Sequence, residues 1–309
     1  MTSKALGYFD ILAARRAWQQ GLNVTELLRR QQGVDHNTPQ IIETAYDLQA
    51  GTYIDYVRGH AEQAGRFAGE IAGLLGPHLH EGDALLDVGS GELTTLASVC
   101  MRLPALPRQV LGFDISWSRI HKGLAFARAE MGAASERLRP FVAEIGAIPL
   151  ADKAVDVTTS CHALEPNGPN LAELLAELFR VTARTLVLFE PGYEHAGAEG
   201  RARMERLGYI RDLAGTVRRL GGRVLAEQPL QHVANPLNPT VCVVIEPPDA
   251  LPRAASPAGS GFTVPGTALP LALTDGFHLS PDTGLCFPVL GGIPVLKRDA
   301  GILASALVD

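Results

Sequence analysis

The chain has 309 residues, 46% of them hydrophobic and 19% charged, a globular composition with room for one large domain with appendages or for two domains. A formal net charge of −6 argues against a basic field that would draw the whole molecule to nucleic acid or to an anionic membrane. The four cysteines form no CxxC pair, and no apolar run reaches the roughly 18 residues of a membrane span. We therefore expect a reduced, cytoplasmic protein without a disulfide framework.

The N-terminal quarter of the chain is predicted to be helical, because apolar residues recur there at spacings of three and four with few breakers. Thr38 is predicted to cap a helix that has Pro39 in its first turn. The segment TAYDLQAGTYIDYVRGH brings Tyr46, Tyr53 and Tyr56 onto neighbouring turns. These helices either close over a ligand as a lid or pack onto the rest of the fold, and the sequence leaves both open.

From residue 83 onward, short β-rich runs alternate with helical stretches. ALLDV precedes LTTLASVCMRL, QVLGFDI precedes SRIHKGLAFARAEM, and the series continues with RPFVAEI, VDVTTSC, the helix NLAELLAELFRVT and TLVLFEP. This order predicts a doubly wound, mostly parallel α/β sheet. After a last helix, ARMERLGYIRDLAGTVRRLG, the strands GRVLAEQPL and TVCVVIEPP follow each other directly, which predicts an antiparallel hairpin at one sheet edge.

Composition divides the chain into four predicted parts. They are an N-terminal helical segment (1–79), a sheet domain (80–249), a linker rich in Pro, Gly, Ala and Ser (250–270) and a small α+β tail (271–309).

The stretch LLDVGSGELT lies where the first predicted strand turns into a helix. Gly89 and Gly91 remove Cβ atoms from this turn, so that a ligand can approach the backbone. A dinucleotide fingerprint would have a third glycine and no acid here, but Thr94 and Glu92 occupy the turn. Glu92 and Asp87 would repel a pyrophosphate and would suit a ligand that carries positive charge.

Acids also follow the next strands. Asp114 ends the second predicted strand, 23 residues after Gly91, where a carboxylate can accept both hydroxyls of a ribose. That position serves a nicotinamide cofactor equally well. Glu144 follows the third strand, an Ile-Pro-Leu step stands at 148–150, and Asp156 opens the fourth strand. For Asp114 and Glu144 the alternative is a solvated strand end or a helix cap.

This arrangement resembles the class I S-adenosylmethionine-dependent methyltransferase family, particularly its small-molecule branch. The resemblance spans about residues 80–248, with Val155 replacing a phenylalanine of the family's third motif. It implies a Rossmann-like sheet of seven strands, S-adenosylmethionine as cofactor and methyl transfer (EC 2.1.1.-). After the fourth strand SCHALEPN replaces the Asn-Pro-Pro-aromatic motif, which argues against the DNA and glutamine methyltransferases that act on exocyclic amines.

The resemblance also implies a cofactor site. Asp87, Gly89 and Gly91 would hold the methionine part of S-adenosylmethionine, with Asp87 facing the ammonium group, and Asp114 would hold the ribose. The other implied contacts are Ile115 beside the adenine, Glu144 and the backbone of Ile145 at its amino edge, Cys161 and His162 beside the sulfonium, and Tyr53 in the lid.

The chemistry follows from this cofactor. Because the positive sulfur already activates the methyl group, the enzyme mainly aligns an in-line displacement and excludes water. A general base helps when the acceptor is a hydroxyl or an ammonium group. The titratable residues after the fourth and fifth strands are His162, Glu165, Glu190, Tyr193, Glu194 and His195. Of these, His162, His195 and Glu165 are the predicted catalytic residues, and a structural role stays open for each histidine.

The tail has a resemblance of its own. TDGFHLSPDTGLCFPVLGGIPVLKRDAGI resembles the small zinc-ribbon-like activator subunit of tRNA, ribosomal-RNA and release-factor methyltransferases, chiefly at Gly276-Phe277, 287–289 and 292–296. The metal-binding cysteines of that ribbon are missing apart from Cys286, so no metal is expected. The resemblance implies a segment that covers an apolar face or edge of the sheet domain. A homodimer contact is the alternative.

The leading expectation is a cytoplasmic methyltransferase that acts on a small molecule and binds no DNA. A methyltransferase of tRNA, ribosomal RNA or a translation protein is the alternative that the tail suggests, and the net negative charge counts against RNA. A nicotinamide-dependent oxidoreductase is disfavoured by Thr94 and the Glu144 segment. A catalytically inactive binding scaffold stays open.

Overall fold

The computed structural model describes residues 6–233, 235–250 and 261–308. The N-terminal segment forms five helices: α1 (Tyr8–Gln19), α2 (Val24–Gln32), α3 (Pro39–Leu48), α4 (Thr52–Gly59) and α5 (Ala61–Leu75). Thr38 caps α3 as predicted, because its hydroxyl accepts the N–H of Ile41. The tyrosine-bearing stretch is divided between α3 and α4, since Gly51 adopts a left-handed conformation (φ +104°) between them.

A seven-stranded sheet forms the centre of the molecule. Its strands are β1 (Ala84–Val88), β2 (Gln109–Asp114), β3 (Leu138–Val142), β4 (Val155–Cys161), β5 (Thr182–Pro191), β6 (Arg223–Pro229) and β7 (Thr240–Glu246). Across the sheet they lie in the order β3-β2-β1-β4-β5-β7-β6, and β7 runs antiparallel to both of its neighbours. The predicted doubly wound α/β sheet with its terminal hairpin is confirmed.

Helices cover both faces of this sheet. They are α6 (Thr94–Cys100), α7 (Trp117–Met131), α8 (Leu171–Val181), α9 (Ala198–Leu207) and α10 (Leu213–Arg219). Successive residues of β1 point to opposite faces, so Leu85 joins the core beneath α5, α6 and α7 while Leu86 joins the core beneath α8 and α10. The stretch predicted as one last helix is two, because the left-handed Gly208 ends α9.

The C-terminal residues form a second, antiparallel sheet. Its strands are β8 (Ala272–Thr274), β9 (Phe277–Leu279), β10 (Leu285–Leu290), β11 (Ile293–Pro294) and β12 (Ile302–Leu303). Where an α+β tail was expected to have a helix, the described part of the tail has short 3₁₀ turns at Arg298–Ala300 and Ser305–Leu307.

This tail covers one edge of the central sheet. Val295 pairs in parallel with Val142 of β3, and the N–H of Leu296 donates to the carbonyl of Val142 at 2.8 Å. Phe287 and Leu296 are buried in the core beneath α8, whereas Ile293 lies in the core on the other face of the sheet. The tail therefore satisfies part of the backbone of an edge strand and adds apolar residues to both cores.

Half of the predicted linker is packed. Phe262 pairs with Leu150 in an antiparallel bridge, Thr263 donates its N–H to the carbonyl of Pro149 at 3.0 Å, and Val264 is buried. A Pro- and Gly-rich composition without periodicity predicts a linker, but a β-bridge, a backbone hydrogen bond and a buried valine hold residues 262–264 against the sheet domain. The other half of the predicted linker, 251–260, lies outside the described residues.

Candidate functional site

A cavity of about 810 Å³ lies at the carboxyl ends of the sheet strands, with side chains of α3 and α4 in its wall. We call one part the cofactor half, lined by Asp87, Gly89, Gly91, Asp114, Ile115, Glu144 and Ile145. We call the other part the acceptor half, lined by Cys161, His162, Glu165, Arg203, Tyr209, Asn238 and Thr240. The cavity lies at the point where the strand order reverses, between β1 and β4, which is where open α/β sheets bind ligands.

Asp87 is a buried carboxylate in the cofactor half. It lies near the end of β1 and is 8% exposed. Burial first, and then the negative charges of Asp114 and Glu190, raise the pKa of Asp87 to about 7, against which only a hydrogen bond from Ser90 acts. No cationic side chain among the described residues contributes to this pKa. A carboxylate in this setting fits the ammonium group of a ligand.

The glycine turn after β1 lines the cavity and also packs against other parts of the protein. Gly89 and Gly91 both have left-handed backbones (φ +65° and +54°), and a Cβ on Gly89 would lie 2.4 Å from the Cβ of Ala163. The N–H of Gly91 donates to Asp114 Oδ2 at 3.0 Å. The turn is therefore shaped by β2 and by the loop after β4, in addition to any ligand.

Asp114 is held in place from two sides. Its Oδ1 accepts the N–H of Ser116 at 2.9 Å, and its Oδ2 accepts the N–H of Gly91. Burial raises the pKa of Asp114, while the charge of Arg119 and these two N–H groups act to lower it. The carboxylate lines the cavity at the end of β2, in the position where the sequence predicts a ribose ligand.

Glu92 has a partner that the sequence did not predict. Its carboxylate is 1% exposed and accepts the N–H groups of Gly51 and Ile54, both at 2.9 Å, so it caps the start of α4. The Nε of Arg119 lies 3.9 Å from the same carboxylate. Glu92 therefore ties the N-terminal helices to the glycine turn, and its negative charge is taken up by protein groups rather than by a cationic ligand.

Arg119 joins the N-terminal helices to the cofactor half. Its guanidinium carbon lies over the rings of Tyr46 and Tyr53, 5.1 and 4.9 Å from their centroids, and its Nη1 lies 3.6 Å from Asp114 Oδ2. Tyr46, Tyr53 and Tyr56 all line the cavity. Tyr46 and Tyr53 thus contact Arg119 of the sheet domain and also line the cavity, while closure of these helices over a ligand stays a prediction.

The tail reaches the end of the cofactor half where the resemblance predicts adenine. Arg298 lines the cavity with Glu144 and Ile145, and its Nη2 donates to the carbonyl of Gly146 at 3.3 Å. Burial raises the pKa of Glu144. The neighbouring Lys297 forms a 2.6 Å ion pair with Glu43 of α3.

His162 is the central residue of the acceptor half. It follows β4 with a left-handed backbone (φ +57°), which is uncommon for a residue other than glycine. Its Nδ1 lies 2.6 Å from Glu165 Oε2 and its Nε2 lies 2.7 Å from the hydroxyl of Thr240. Burial acts to lower the pKa of His162, but the hydrogen bond to Glu165 and the negative charge of Glu165 raise it above its ordinary value. Burial alone would raise the pKa of Glu165, but the hydrogen bond and the charge of His162 hold that pKa below its ordinary value.

Three further residues surround Glu165. Asn238 Nδ2 donates to Glu165 Oε2 at 3.1 Å. The guanidinium of Arg203 lies over the ring of Tyr209, 5.6 Å from its centroid. Burial raises the pKa of Tyr209, Glu165 raises it further, and Arg203 lowers it. These effects indicate that the three side chains lie close together.

The other titratable residues after β4 and β5 are not in the cavity lining. His195 Nε2 contacts Glu227 at 3.1 Å on the surface, and Tyr193 contacts Glu205 there. Glu190 is buried behind the site, where its Oε1 accepts the hydroxyl of Ser160 and the N–H groups of Ala163 and Leu164. The structure brings His162, Glu165 and Cys161 to the cavity and leaves His195 outside it.

Several lining residues were missed in the sequence. Arg119, Arg203, Tyr209, Asn238 and Arg298 stand in helices or loops without a recognisable motif. Arg119 had one usable signal, its position in the first turn of the helix after Asp114, where a side chain points back toward the strand end.

Comparisons with known proteins agree with this geometry. The model of the family described as a methyltransferase domain matches residues 86–187, about a third of the chain. Within residues 86–187 the chain therefore carries a methyltransferase domain, which lies on a sheet of Rossmann-like fold. No curated protein matches the chain.

Solved structures are similar in fold at low sequence identity. A chain from a complex that includes the Haloferax volcanii Trm112 methyltransferase activator is 15% identical, with a TM-score of 0.50 over 65% of this chain and 97% of that one. Geranyl diphosphate C-methyltransferase from Streptomyces coelicolor A3(2) is 14% identical, with a TM-score of 0.45 over 57% of this chain and 76% of that one. A methyltransferase from Aquifex aeolicus is 19% identical, with a TM-score of 0.42 over 55% and 84%.

Two features are absent from the described residues, a cluster of metal-binding side chains and a membrane-spanning helix. Within 6–233, 235–250 and 261–308 no group of three or more His, Cys, Asp or Glu side chains could hold a metal ion. No helix in these ranges is long and apolar enough to cross a membrane.

Proposed function

We propose that the protein transfers a methyl group from S-adenosylmethionine to a small-molecule acceptor by in-line displacement. The observation that carries this proposal is the single cavity that joins Asp87 and Asp114 to the His162–Glu165 pair beneath a wall of N-terminal helices. Such a site holds two small ligands side by side and keeps water from the reacting atoms.

The residues of the cofactor half fit the proposed ligand. Asp87 would hold the ammonium group, Asp114 the ribose hydroxyls, and Glu144 with the Ile145 backbone the amino edge of the adenine. Ile115 and Tyr53 would line its apolar surfaces, and Cys161 would lie beside the sulfur. Bound there, S-adenosylmethionine supplies a methyl group on a positively charged sulfur.

His162 and Glu165 would remove the proton that an acceptor hydroxyl or ammonium loses. His162 Nε2 would accept the proton that the acceptor oxygen or nitrogen loses when it takes the methyl group from the sulfur, which would leave as the neutral thioether. Glu165 orients the ring through Nδ1 and stabilises the charged imidazolium. The hydroxyl of Thr240, in contact with Nε2, can relay the proton.

Calorimetric titration and an assay of product formation test this function together. We expect the full chain to bind S-adenosylmethionine and S-adenosylhomocysteine in the micromolar range or tighter, and to form S-adenosylhomocysteine when small-molecule acceptors are added. Absence of binding to both nucleosides would refute the proposal, as would their displacement by a nicotinamide dinucleotide.

We further propose that the tail is a fused counterpart of the activator subunit that it resembles. The parallel pairing of Val295 with Val142 and the burial of Phe287 and Leu296 support a segment that stabilises its sheet domain. A homodimer contact stays as the alternative for the exposed apolar side chains of the tail, such as Leu273 and Leu303. Sedimentation of the purified chain distinguishes a monomer from a dimer.

RNA and translation proteins are the alternative substrates, because the tail resembles an activator subunit of methyltransferases that act on them. An electrophoretic shift with bulk tRNA at physiological salt tests the first of these. Tight and salt-sensitive binding would favour RNA methylation, whereas we expect none, because the net charge of −6 opposes a polyanion.

A further inference from the structure

Two buried polar atoms in the acceptor half have no partner among the described residues. They are Arg203 Nη1, a donor, and Asn238 Oδ1, an acceptor. Both side chains line the cavity. A buried polar atom without a hydrogen bond is costly, and both atoms belong to side chains in the cavity wall, so a ligand that reaches them would supply the missing partners.

Arg203 requires an acceptor, and a charged one fits best. A guanidinium stays protonated at all ordinary pH values, and no carboxylate of the described residues forms a salt bridge with it. Glu165, the acid of this cluster, already has His162 Nδ1 at 2.6 Å and the amide of Asn238 as partners, and it forms no ion pair with Arg203. The positive charge of Arg203 is therefore left for a ligand, and Arg203 has the planar geometry that binds carboxylates and phosphates.

Asn238 requires a donor. Its Nδ2 donates to the Glu165 carboxylate, which fixes the orientation of the amide and leaves Oδ1 as the free atom. Oδ1 can only accept, so the matching ligand group carries an O–H or N–H.

We propose that the acceptor half recognises a small anionic molecule whose carboxylate or phosphate group binds Arg203 and whose hydroxyl or amino group donates to Asn238. This inference rests on the proposed function, since it names the substrate class of the same site. The anion is distinct from the carboxylate of the cofactor, because Arg203 belongs to α9 and lies beside Glu165 and Tyr209. The cofactor half is formed by residues at the ends of β1, β2 and β3.

Binding to the protein saturated with S-adenosylhomocysteine tests the proposal without requiring turnover. The probes are matched pairs: hydroxy and amino carboxylates against their primary amides, and phosphate monoesters against their parent alcohols. We expect at least one anion to bind about tenfold or more tightly than its neutral partner, the scale of a charge-assisted hydrogen bond. If no anion in the panel is preferred, the proposal is wrong.

Substitutions test which residues cause the preference for anions over their neutral partners. Arg203→Ala should reduce it to less than about threefold, Arg203→Lys should retain part of it, and Arg206→Ala, an exposed arginine of the same helix, should leave it unchanged. Asn238→Ala should remove the advantage of hydroxylated over deoxygenated carboxylates. If Arg203→Ala is unstable, the lysine and glutamine variants decide. A preference that survives all three Arg203 variants would overturn the assignment.

The affinity for S-adenosylhomocysteine separates this inference from the proposed function. Arg203→Ala should leave that affinity unchanged, and an equal loss for nucleoside and anion would assign Arg203 to the cofactor instead. If the wild-type chain binds no nucleoside, the methyltransferase proposal fails. The matched pairs, titrated into the chain alone, then still decide whether the cavity selects anions.

Discussion

The two halves of the cavity are built in different ways. In the cofactor half, Asp87, Asp114 and Glu144 each stand at or just after the end of a buried strand, and neighbouring parallel strands bring these ends together. In the acceptor half, His162, Arg203 and Asn238 come from a loop, a helix and the β6–β7 connection. The first half depends on local sequence at strand ends, and the second on contacts between segments far apart in the chain.

The largest expected effect comes from a substitution in the acceptor half. His162→Gln removes the proposed base and should lower the rate of methyl transfer by about 10² to 10⁴ fold, measured as formation of S-adenosylhomocysteine with an acceptor found by the binding panel. Because a protonated ring cannot take a proton, the wild-type rate should fall as pH drops through the raised pKa of His162. That dependence should be absent from the variant.

His195 is the matched comparison for this experiment. It was predicted from the sequence as an equal candidate, but it contacts Glu227 outside the cavity. His195→Gln should change the rate by less than about threefold, within the usual range for surface substitutions. A larger loss in His195→Gln than in His162→Gln would reverse the assignment of the two histidines.

The next effect tests whether the tail supports the cofactor half. Leu296 is fully buried, so Leu296→Ala should lower the free energy of unfolding by about 2–5 kcal/mol in chemical denaturation. Leu303 is 71% exposed in the same tail, and Leu303→Ala should stay within about 0.5 kcal/mol of the wild type. Equal losses in both variants would show that the tail does not share the core of the sheet domain.

A third experiment breaks the cofactor half alone. Asp114→Ala should weaken binding of S-adenosylmethionine by about 1.5–3 kcal/mol, because charged hydrogen bonds to the ribose are lost together. Asp35→Ala, with a fully exposed side chain, is the control. Unchanged affinity in the Asp114 variant would show that the ribose lies elsewhere, and the anion preference of the acceptor half should persist in both.

The smallest expected effect is the dependence of S-adenosylmethionine affinity on pH, which tests the cofactor half through Asp87. Asp87 has a pKa of about 7 in the free protein and must be ionised to bind an ammonium group. Affinity for S-adenosylmethionine should therefore weaken by about 1.4 kcal/mol for each pH unit below 7 and level off above it. Asp87→Asn should bind weakly with a flat profile between pH 6 and 8. A flat wild-type profile would contradict the assignment of Asp87.

The sequence predicted much of the fold, and it singled out most of the residues that line the cofactor half, whose binding of a cofactor stays a prediction. Strands and helices follow each other with clear periodicity, and Asp87, Gly91 and Asp114 stand at fixed places relative to predicted strands. Glu92 was assigned to the wrong partner, because its contacts with Gly51 and Ile54 cross about forty residues of chain. Arg203 and Asn238 could not be found for the same reason, since their meeting with Glu165 depends on how α9 and the β6–β7 connection pack.

The capping of α4 by Glu92 has a consequence for how ligands enter and leave. If α4 lifts from the sheet domain, the carboxylate loses its amide donors and Arg119 loses an aromatic ring on at least one side. Glu92 would then exchange its two amide donors for water and keep only Arg119, 3.9 Å away, as a charged neighbour. Outward movement of this helix is thus opposed by the loss of two hydrogen bonds to a carboxylate as well as by the loss of packing.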